Sequence, residues 1–455
     1  MAGEKPNVLL IAFDDLRPEI GAYGAPEAIT PNIDKLAAEG TRFDNAYVTY
    51  PLCMPSRSSM LSGIRYDNKN FTGGDKNEYY ETMLTMQALW PEVLRKAGYW
   101  TAVRGKLYHE SVPKFKKETW DIPGGLYIDP GPYNFPQELL DKVVDKGGVK
   151  KDLESFLEGK PGPGAVAYVS VDCEDNQLHE GSVADDIVDY LLNKRDESKP
   201  FLVCAGFSRP HLPWIAPRKY FDLYPEDAGE LAPVPDGVER EIAKKDHRGI
   251  SSNLWNEGLD DKDAKRLKRA YLATTTYADA QMGRIIDALK KTGEYDNTII
   301  ILWGDHGYHL SEHGLWQKNK DYRVSIRCPL IIKAPGYGPN QICGRVVQNT
   351  DIYPTLLSLC GVEKPKDVVL HGRDLTPLLK QPEADWPHVA HVACYGRYGI
   401  ITERYRFTDF GKGVYELYDA QKDPGEWNNL AGNPEYAETV EAFKKQLKEV
   451  DWNKR

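Results

Sequence analysis

Three continuous apolar runs place the strongest constraint on the fold of this chain. They cover Asn7–Phe13, Phe201–Phe207 and Thr298–Trp303, and each is about the length of one strand. Such runs are typical of strands that are covered on both faces, as in parallel sheets flanked by helices. A further strand is predicted over residues 165–171. Because amphipathic segments alternate with these runs, we predict an α/β fold with a large, mixed, mostly parallel central sheet flanked by helices.

Two helices are predicted from their ends and from their periodicity. Thr30 and Pro31 suit the cap and the first position of a short helix, and Gly40 suits its C-terminal end. Apolar residues at helical spacing predict a long helix over residues 264–289.

The pattern changes after about Pro377, where a smaller α+β subdomain is expected. Ile400–Phe410 and Val414–Tyr418 are predicted to be antiparallel strands, and Tyr436–Val450 is predicted to be a closing amphipathic helix. We therefore predict a main domain over residues 1–376 and a C-terminal subdomain over residues 377–455.

Composition excludes several classes of function. The formal charge is −10, from 58 Lys and Arg against 68 Asp and Glu, which argues against a broad nucleic-acid-binding face. An anionic ligand must then be held locally by a few basic residues. No apolar run approaches the roughly 20 residues that cross a bilayer, so no membrane span is expected. The seven cysteines include no Cys-x-x-Cys pair, which argues against a zinc site or a dithiol redox site.

Acidic residues follow two of the apolar runs directly. Asp14 and Asp15 come after the first run, and Asp305 and His306 come after the third. In open α/β sheets, ligands bind beyond the carboxyl ends of the strands. Carboxylate oxygens suit a hard divalent cation such as Ca²⁺ or Mg²⁺. The alternative is that Asp14 and Asp15 only cap a turn.

The string from Cys53 to Arg57 reads Cys-Met-Pro-Ser-Arg, and a Leu-Ser-Gly string follows at 61–63. Pro55 suits the first turn of a helix, and Arg57 lies one turn beyond Cys53. This string resembles the Cys-x-Pro-Ser-Arg signature of the sulfatase family. The resemblance implies that Cys53 is oxidised to formylglycine, an aldehyde whose hydrate attacks sulfate esters. Cys53 is then the precursor of the nucleophile and not a thiol catalyst.

The resemblance extends over nearly the whole chain and implies an alkaline phosphatase-like fold. Strings similar to those of sulfatases lie at 277–283, 303–307, 351–357 and 416–426. Within the family, the strings at 14–18, 105–109 and 305–314 resemble those of iduronate 2-sulfatases. Ser62 departs mildly from the usual Thr, and Tyr308 stands where iduronate 2-sulfatases have Trp, in a position expected to face the sugar. The middle regions 121–160 and 226–261 have no clear counterpart.

Matched position by position, the resemblance implies a metal site and a set of residues that contact sulfate. The implied ligands of Ca²⁺, with Mg²⁺ as the alternative ion, are Asp14, Asp15, the modified Cys53, Asp305 and His306. Arg57 is implied to hold the hydrated aldehyde. The residues implied to contact sulfate and to handle protons are Lys106, His109, His211 and Lys318. His211 suits protonation of the leaving alcohol, and His109 suits removal of the proton that lets sulfate leave.

The substrate that the resemblance favours is a 2-O-sulfated uronic acid in a fragment of a glycosaminoglycan or a related sulfated polysaccharide. Arg104 or Arg209 is a candidate to pair with the sugar carboxylate, and either is equally well an ordinary salt-bridge residue. Three alternatives stay open. They are a phosphodiesterase or phosphonate monoester hydrolase of the same superfamily, a sulfatase for another sulfated sugar or small ester, and a sulfoglycan-binding protein with unmodified Cys53.

The resemblance also implies a partner and a compartment. The partner is a formylglycine-generating enzyme or an anaerobic sulfatase-maturating enzyme. The expected location is the periplasm or the cell exterior, with a signal peptide that this chain lacks, because polysaccharide breakdown takes place there. The alternative location is the cytoplasm.

Overall fold

The computed structural model describes residues 5–65, 76–109, 111–125, 135–159, 165–236 and 258–450. Parts of the two middle regions, 126–134 and 237–257, therefore lie outside the described residues. The strands are β1 (Asn7–Phe13), β2 (Thr41–Tyr47), β3 (Trp100–Gly105), β4 (Ile122–Pro123), β5 (Val143–Gly148), β6 (Ala167–Val171), β7 (Phe201–Phe207), β8 (Trp214–Pro217), β9 (Thr298–Gly304), β10 (His309–Leu310), β11 (Trp316–Gln317), β12 (Leu330–Lys333), β13 (Gln341–Gln348), β14 (Ala390–Cys394), β15 (Arg397–Ile401), β16 (Tyr405–Asp409) and β17 (Tyr415–Asp419).

The α-helices are α1 (Pro31–Glu39), α2 (Cys53–Ser62), α3 (Lys76–Thr85), α4 (Trp90–Lys96), α5 (Lys150–Leu157), α6 (His179–Asp189), α7 (Arg218–Phe221), α8 (Asp261–Lys291), α9 (Arg323–Ile326), α10 (Ile352–Leu359), α11 (Thr376–Lys380) and α12 (Ala437–Glu449). Of the helices in the described part of the chain, none combines the length and the hydropathy needed to span a bilayer.

The central sheet has eight strands in the order β13-β2-β12-β9-β1-β7-β3-β4. β1 pairs in parallel with both β7 and β9, whereas β12 runs antiparallel to its two neighbours. Every residue of β1 is buried. Its alternate side chains enter two different apolar cores, with Val8 and Leu10 on one face and Leu9 and Ile11 on the other. This explains why the run is continuously apolar, and it confirms the predicted mixed, mostly parallel sheet with both faces covered.

Two strand predictions need correction. The strand expected at 165–171 begins at Ala167, and it lies in a separate three-stranded sheet, β5-β6-β8. The single strand expected over Ile400–Phe410 is wrong, because β15 ends at Ile401 and β16 begins at Tyr405 after a tight turn. Strands β14–β17 form one antiparallel sheet, and α12 packs on it through Phe443. The boundary between residues 376 and 377 stays a prediction.

Helix α1 begins at Pro31 as expected, but its predicted ends work differently. Thr30 makes no side-chain cap. Asp279 of α8 accepts the backbone N–H groups of Asn32 and Ile33 at 3.2 Å and 2.7 Å in its place. Gly40 is extended, with φ −138°, and a Cβ there would lie 2.6 Å from the carbonyl oxygen of Ile332. Close approach to β12, and not a left-handed turn, therefore requires glycine at position 40.

Candidate active site

The two acidic pairs meet at the carboxyl edge of the central sheet. β1 and β9 are parallel neighbours, and Asp305 donates its backbone N–H to the carbonyl of Phe13 at 3.1 Å. Asp15 has φ 62°, and its backbone N–H donates to Oδ1 of Asp305 at 3.0 Å. The left-handed turn at Asp15 therefore brings the loop after β1 over the loop after β9. The predicted convergence of the pairs is confirmed.

Helix α2 carries Cys53 to the same place. Cys53 is the first helical residue, Pro55 lies in the first turn, and the whole helix is buried. The Sγ atom of Cys53 lies 3.3 Å from Nε2 of His306, whose Nδ1 faces the carbonyl of Gly307 at 2.9 Å. A helix N-terminus favours negative charge, so α2 stabilises an anionic group at position 53.

Four ligand atoms converge on a common point. One atom each from Asp14, Asp15, Cys53 and His306 lies within 4.8 Å of all the others, and all four residues are buried. Asp14 Oδ1 accepts no hydrogen bond within the described part of the chain, and Nη2 of Arg57 is 3.8 Å away. Two carboxylates and an imidazole in a buried pocket fit a divalent cation. The residues present therefore suit the predicted metal site.

Two buried lysines neutralise the two aspartates that follow β1. Lys106 makes an ion pair with Asp14, and both side chains are fully buried. Lys318 makes an ion pair with Asp15 and places its Nζ 3.1 Å from the Sγ of Cys53. The resemblance placed both lysines in the site, and the structure brings Lys106 there from the end of β3 and Lys318 from the end of β11.

Arg57 binds the third carboxylate and several loop ends. Its Nε donates to Oδ2 of Asp305 at 2.9 Å, and its guanidinium also donates to the carbonyls of Lys106 and Phe13. The side chain is fully buried. Arg57 therefore positions Asp305 and joins the ends of β1 and β3. This contact set orients the site, and its predicted role at the hydrated aldehyde remains a prediction.

A pair of glycines lets Lys106 enter the site. Gly105 has φ 73°, and a Cβ there would lie 1.9 Å from the carbonyl oxygen of Gly206. The backbone N–H of Lys106 donates to that same carbonyl at 2.8 Å. The ends of β3 and β7 can approach this closely only because both positions lack side chains.

Burial and charge move the pKa values of the central groups in opposite directions. Burial raises the pKa of the Cys53 thiol, but Lys318, Lys106 and His306 outweigh it and hold this pKa well below its usual range. Burial also raises the pKa of Asp305, and the charges of Asp14 and Cys53 add to that effect. Such crowding of anions is the electrostatic condition that a bound cation relieves.

The two predicted histidines flank the cluster. His211 follows β7, and its Nε2 lies 3.9 Å from Oδ2 of Asp15 while its Nδ1 faces the carbonyl of Leu212 at 2.6 Å. His109 donates its backbone N–H to the hydroxyl of Tyr80 at 3.1 Å. A hydrogen bond from the His109 side chain also helps to lower the pKa of Cys53. One histidine therefore lies on the Asp15 side of the site and the other lies on the Cys53 side.

The two arginines suggested for the sugar carboxylate make structural contacts. Arg104 on β3 places its Nε 2.6 Å from Oδ2 of Asp186 on α6. Arg209 is 2% exposed and donates to the carbonyl of His211 at 2.9 Å and to that of Ile215 at 3.4 Å. These contacts support the ordinary structural alternative for both residues, and their substrate-binding role stays a prediction. Arg209 holds the loop that presents His211.

Tyr308 is buried beside the charged cluster. Its ring stacks on that of Tyr271 with centroids 5.9 Å apart, and the residue is 1% exposed. Its hydroxyl has no hydrogen-bond partner in the described part of the chain. Burial, together with the charge of Asp15, raises the pKa of this phenol well above its usual value. The hydroxyl is therefore a neutral donor near Asp15.

Two residues that position the site escaped the sequence reasoning. The Tyr271 hydroxyl donates to the carbonyl of Asp15 at 2.9 Å and accepts the backbone N–H of Arg17 at 3.0 Å. Asn349 donates to the carbonyl of Ser56 at 2.9 Å. Tyr271 is one apolar position among many in a long helix, so the sequence offers no signal for it. Asn349 lies just before the string at 351–357, which was the available signal.

Comparison with known proteins agrees with this geometry. The model of the family described as Sulfatase matches residues 6–362, and the model described as N-sulphoglucosamine sulphohydrolase, C-terminal, matches residues 311–453. The chain belongs to the sulfatase family. It is therefore a sulfuric ester hydrolase, and the predicted reaction class is confirmed.

Curated relatives align with most of this sulfatase. A sulfatase of Formosa agariphila is 30% identical over 462 residues, covering 98% of this chain and 86% of the relative. Human iduronate 2-sulfatase is 27% identical over 400 residues, covering 79% of this chain and 70% of the relative. The first match shows the family over the full length of the fold, and the second agrees with the strings noted above.

Solved structures share the fold of this sulfatase. The structure of BT4656 in complex with its substrate, D-glucosamine-2-N,6-O-disulfate, superposes with a TM-score of 0.68 at 25% identity, covering 98% of this chain and 97% of the other. Phosphonate monoester hydrolase of Agrobacterium radiobacter superposes with a TM-score of 0.76 at 22% identity, covering 98% and 95%. These likenesses confirm the predicted alkaline phosphatase-like fold class.

Proposed function

We propose that this sulfatase removes a 2-O-sulfate from a uronic acid of a glycosaminoglycan or related polysaccharide fragment, using formylglycine made from Cys53. The observation that carries the proposal is the surroundings of Cys53. Its Sγ lies 3.1 Å from Nζ of Lys318 and 3.3 Å from Nε2 of His306, at the N-terminus of a buried helix. A maturation enzyme, either formylglycine-generating or anaerobic sulfatase-maturating, is required as a partner.

The chemistry is divided between the modified residue, a cation and the surrounding side chains. The hydrate of formylglycine supplies an oxygen nucleophile and a second hydroxyl. Loss of the proton from that second hydroxyl restores the aldehyde and expels sulfate. A divalent cation, proposed to be Ca²⁺, supplies positive charge for that oxygen and for the sulfate oxygens. Its proposed ligands are Asp14, Asp15, the modified Cys53 and His306, whose ligand atoms converge, together with Asp305, whose Oδ1 lies 3.5 Å from Nε2 of His306.

The residues of the chain bind the sulfate group and move protons. Lys106 and Lys318 place two buried ammonium groups in the cluster, where they stabilise the negative charge that develops on the sulfate oxygens. His211, on the Asp15 side, protonates the leaving alcohol. His109, hydrogen-bonded to the side chain at position 53, takes the proton whose removal lets sulfate leave.

The sugar assignment depends on the resemblance and on an unpartnered hydroxyl group beside the site. The human relative acts, by its name, on iduronate 2-sulfate, and its match covers 79% of this chain. Tyr308 adds a buried, unpartnered hydroxyl next to Asp15, at the position that the resemblance places against the sugar. A hydroxyl without a partner costs free energy unless a ligand accepts its hydrogen bond.

The first test measures sulfate release from a defined panel, together with release of the alcohol from the phosphodiester that the panel contains. The protein is co-produced with a formylglycine-generating enzyme, and mass spectrometry of the peptide that carries residue 53 reports the conversion. The panel contains 2-O-sulfated uronate disaccharides, 6-O-sulfated hexosamines, choline sulfate and a phosphodiester. We expect selective release from the uronates. Sulfate release from another member only would overturn the sugar assignment and keep the reaction.

Cys53→Ala is the matched loss-of-function variant. We expect it to abolish turnover, because no nucleophile can form at position 53. Cys173→Ala serves as the control, since Cys173 is a half-buried cysteine outside the site. Substantial sulfate release by Cys53→Ala would contradict the covalent mechanism.

A phosphonate monoester hydrolase is the second candidate function. It is favoured by the fold likeness to the Agrobacterium radiobacter enzyme, at a TM-score of 0.76. Hydrolysis of the phosphodiester in the panel, or of a phosphonate monoester added to it, at a rate above that of sulfate release would decide for it.

A further inference from the structure

A cleft outside the catalytic cluster lies beside the loop that follows β9. Its volume is about 450 Å³, within the range of about 300–1,000 Å³ typical of small-molecule sites. One wall carries three arginines and two glutamates, and the other wall is the loop after β17, at the junction with the C-terminal sheet. The charged residues of the first wall are Arg17, Arg323, Arg327, Glu19 and Glu312. None of the residues that line this cleft belongs to the catalytic cluster.

The carboxylates of the cleft already have cationic partners. Arg17 pairs with Glu19 at 2.5 Å and with Glu312 at 2.7 Å. Glu19 also pairs with Lys268 at 3.2 Å. The negative charges of this wall are therefore neutralised without help from Arg323 or Arg327.

Arg323 and Arg327 make no ion pair with a carboxylate in the part of the chain that the structure describes. Arg323 donates from Nη2 to Oδ1 of Asn45 at 3.0 Å, while its Nη1 is buried and has no hydrogen-bond partner. Arg327 donates from Nε to the carbonyl of Asp44 at 2.7 Å. An unmet donor on a half-buried guanidinium costs free energy, and an oxyanion would satisfy it.

We propose that this cleft is a second oxyanion-binding site, holding a sulfate or carboxylate group between Arg323 and Arg327. The planar guanidinium matches both groups through paired N–H donors. Two sources share this chemistry: a charged group on an anionic saccharide, and free inorganic sulfate. The cleft volume of about 450 Å³ has room for a sugar ring that carries the anionic group.

Backbone hydrogen bonds connect the wall of the cleft to the loop that follows β9. The N–H groups of Gly307 and Tyr308 donate to the carbonyls of Ser325 and Val324 at 2.9 Å and 3.0 Å. Arg17 donates to the carbonyl of Tyr308 at 2.9 Å. An anion held in the cleft therefore binds next to the segment that follows His306, while its own contacts remain separate from the catalytic ones.

The test locates the anion directly. Crystals of the full-length protein are soaked in selenate, and the anomalous scattering of selenium reports its position. We expect a peak between the guanidinium groups of Arg323 and Arg327. A selenate peak at the catalytic centre alone, or no selenate peak at all, would overturn the proposal. Because the peak does not depend on which ester is hydrolysed, this result is independent of the function proposed above.

The source of the anion is decided by kinetics of Arg323→Gln. Exposed Arg218, which pairs with Asp222, supplies the control Arg218→Gln. If the occupant is a group on the saccharide, the variant raises KM for a sulfated disaccharide about tenfold more than KM for an aryl sulfate. If it is inorganic sulfate, the variant weakens inhibition by sulfate instead. Equal effects of both substitutions on both quantities overturn the proposal.

Discussion

At the scale of single residues, the site is a set of buried charges arranged in pairs. Lys106 neutralises Asp14, Lys318 neutralises Asp15, and Arg57 neutralises Asp305. Buried charges are tolerated only when they are paired and hydrogen-bonded, and removing one partner leaves the other uncompensated. The Cys53 thiol is the group on which these charges act together.

The pKa of unmodified Cys53 is expected to lie well below that of an ordinary thiol, because Lys318, Lys106 and His306 outweigh the effect of burial. Lys318→Met removes one of these cations and should raise the pKa of the thiol. The ultraviolet absorbance of the thiolate, followed from about pH 4 to pH 9 in metal-free protein, measures both.

The other cysteines give a clean background for this titration. Burial raises the pKa of every one of them, namely Cys173, Cys204, Cys328, Cys343, Cys360 and Cys394. Cys53→Ala should therefore lose the thiolate signal completely. A titration near the ordinary thiol pKa in the parent protein would show that the cations do not control Cys53.

At the scale of elements, contacts with other helices decide how a helix is buried and how its first turn is capped. Helix α2 is buried along its whole length although it carries polar residues, and the hydroxyls of Ser58 and Ser62 donate to the carbonyls of Met54 and Ser58. Helix α1 receives its cap from α8, through the carboxylate of Asp279. Both features depend on contacts between elements that are remote in sequence.

Asp279→Ala should lower the free energy of unfolding by about 1–2 kcal/mol, the usual effect of losing a helix cap. Two backbone N–H groups of α1 lose their acceptor in this variant. Asp287→Ala, at an exposed position of the same helix, is the control and should change stability little. Urea denaturation of both variants gives the comparison, and equal stabilities would contradict the capping role.

At the scale of the whole molecule, the metal ligands come together only in the folded chain. The loop after β1, the start of α2 and the loop after β9 each supply part of the set. A cation that binds this set therefore binds the native state and not the unfolded one, and its binding free energy adds to stability.

Addition of Ca²⁺ to metal-free protein should stabilise it, by about 2.7 kcal/mol when free Ca²⁺ is 100 times its dissociation constant. Asp14→Asn should abolish most of this increment, because a carboxylate of the converging set is lost. Asp296→Asn changes an exposed acid near the opposite end of β9 and should keep it. Thermal unfolding with and without Ca²⁺ measures the increment, and an equal increment in all three proteins would refute this site.

Local pattern was enough to predict two central strands and the acidic residues at the ends of β1 and β9. The runs at Asn7–Phe13 and Phe201–Phe207 are strands with the predicted bounds. The acidic residues after β1 and β9 meet because parallel strands end at one edge of the sheet. The string at Cys53 begins a helix, as its proline suggested. These features depend on residues that are close in sequence or on a regular property of sheets.

Side-chain partners were decided only by tertiary structure. The partners of Arg104 and Arg209 could not be read from the sequence, and the fold places Asp186 and backbone carbonyls beside them. Asp279, Tyr271 and the cleft arginines acquire their roles from segments remote in the chain. The sequence alone thus determined the strands at the centre of the sheet and the acidic pairs at their ends, because these follow from local patterning. The pairing of charged side chains was decided only in the folded chain, because an ion pair depends on distance in space.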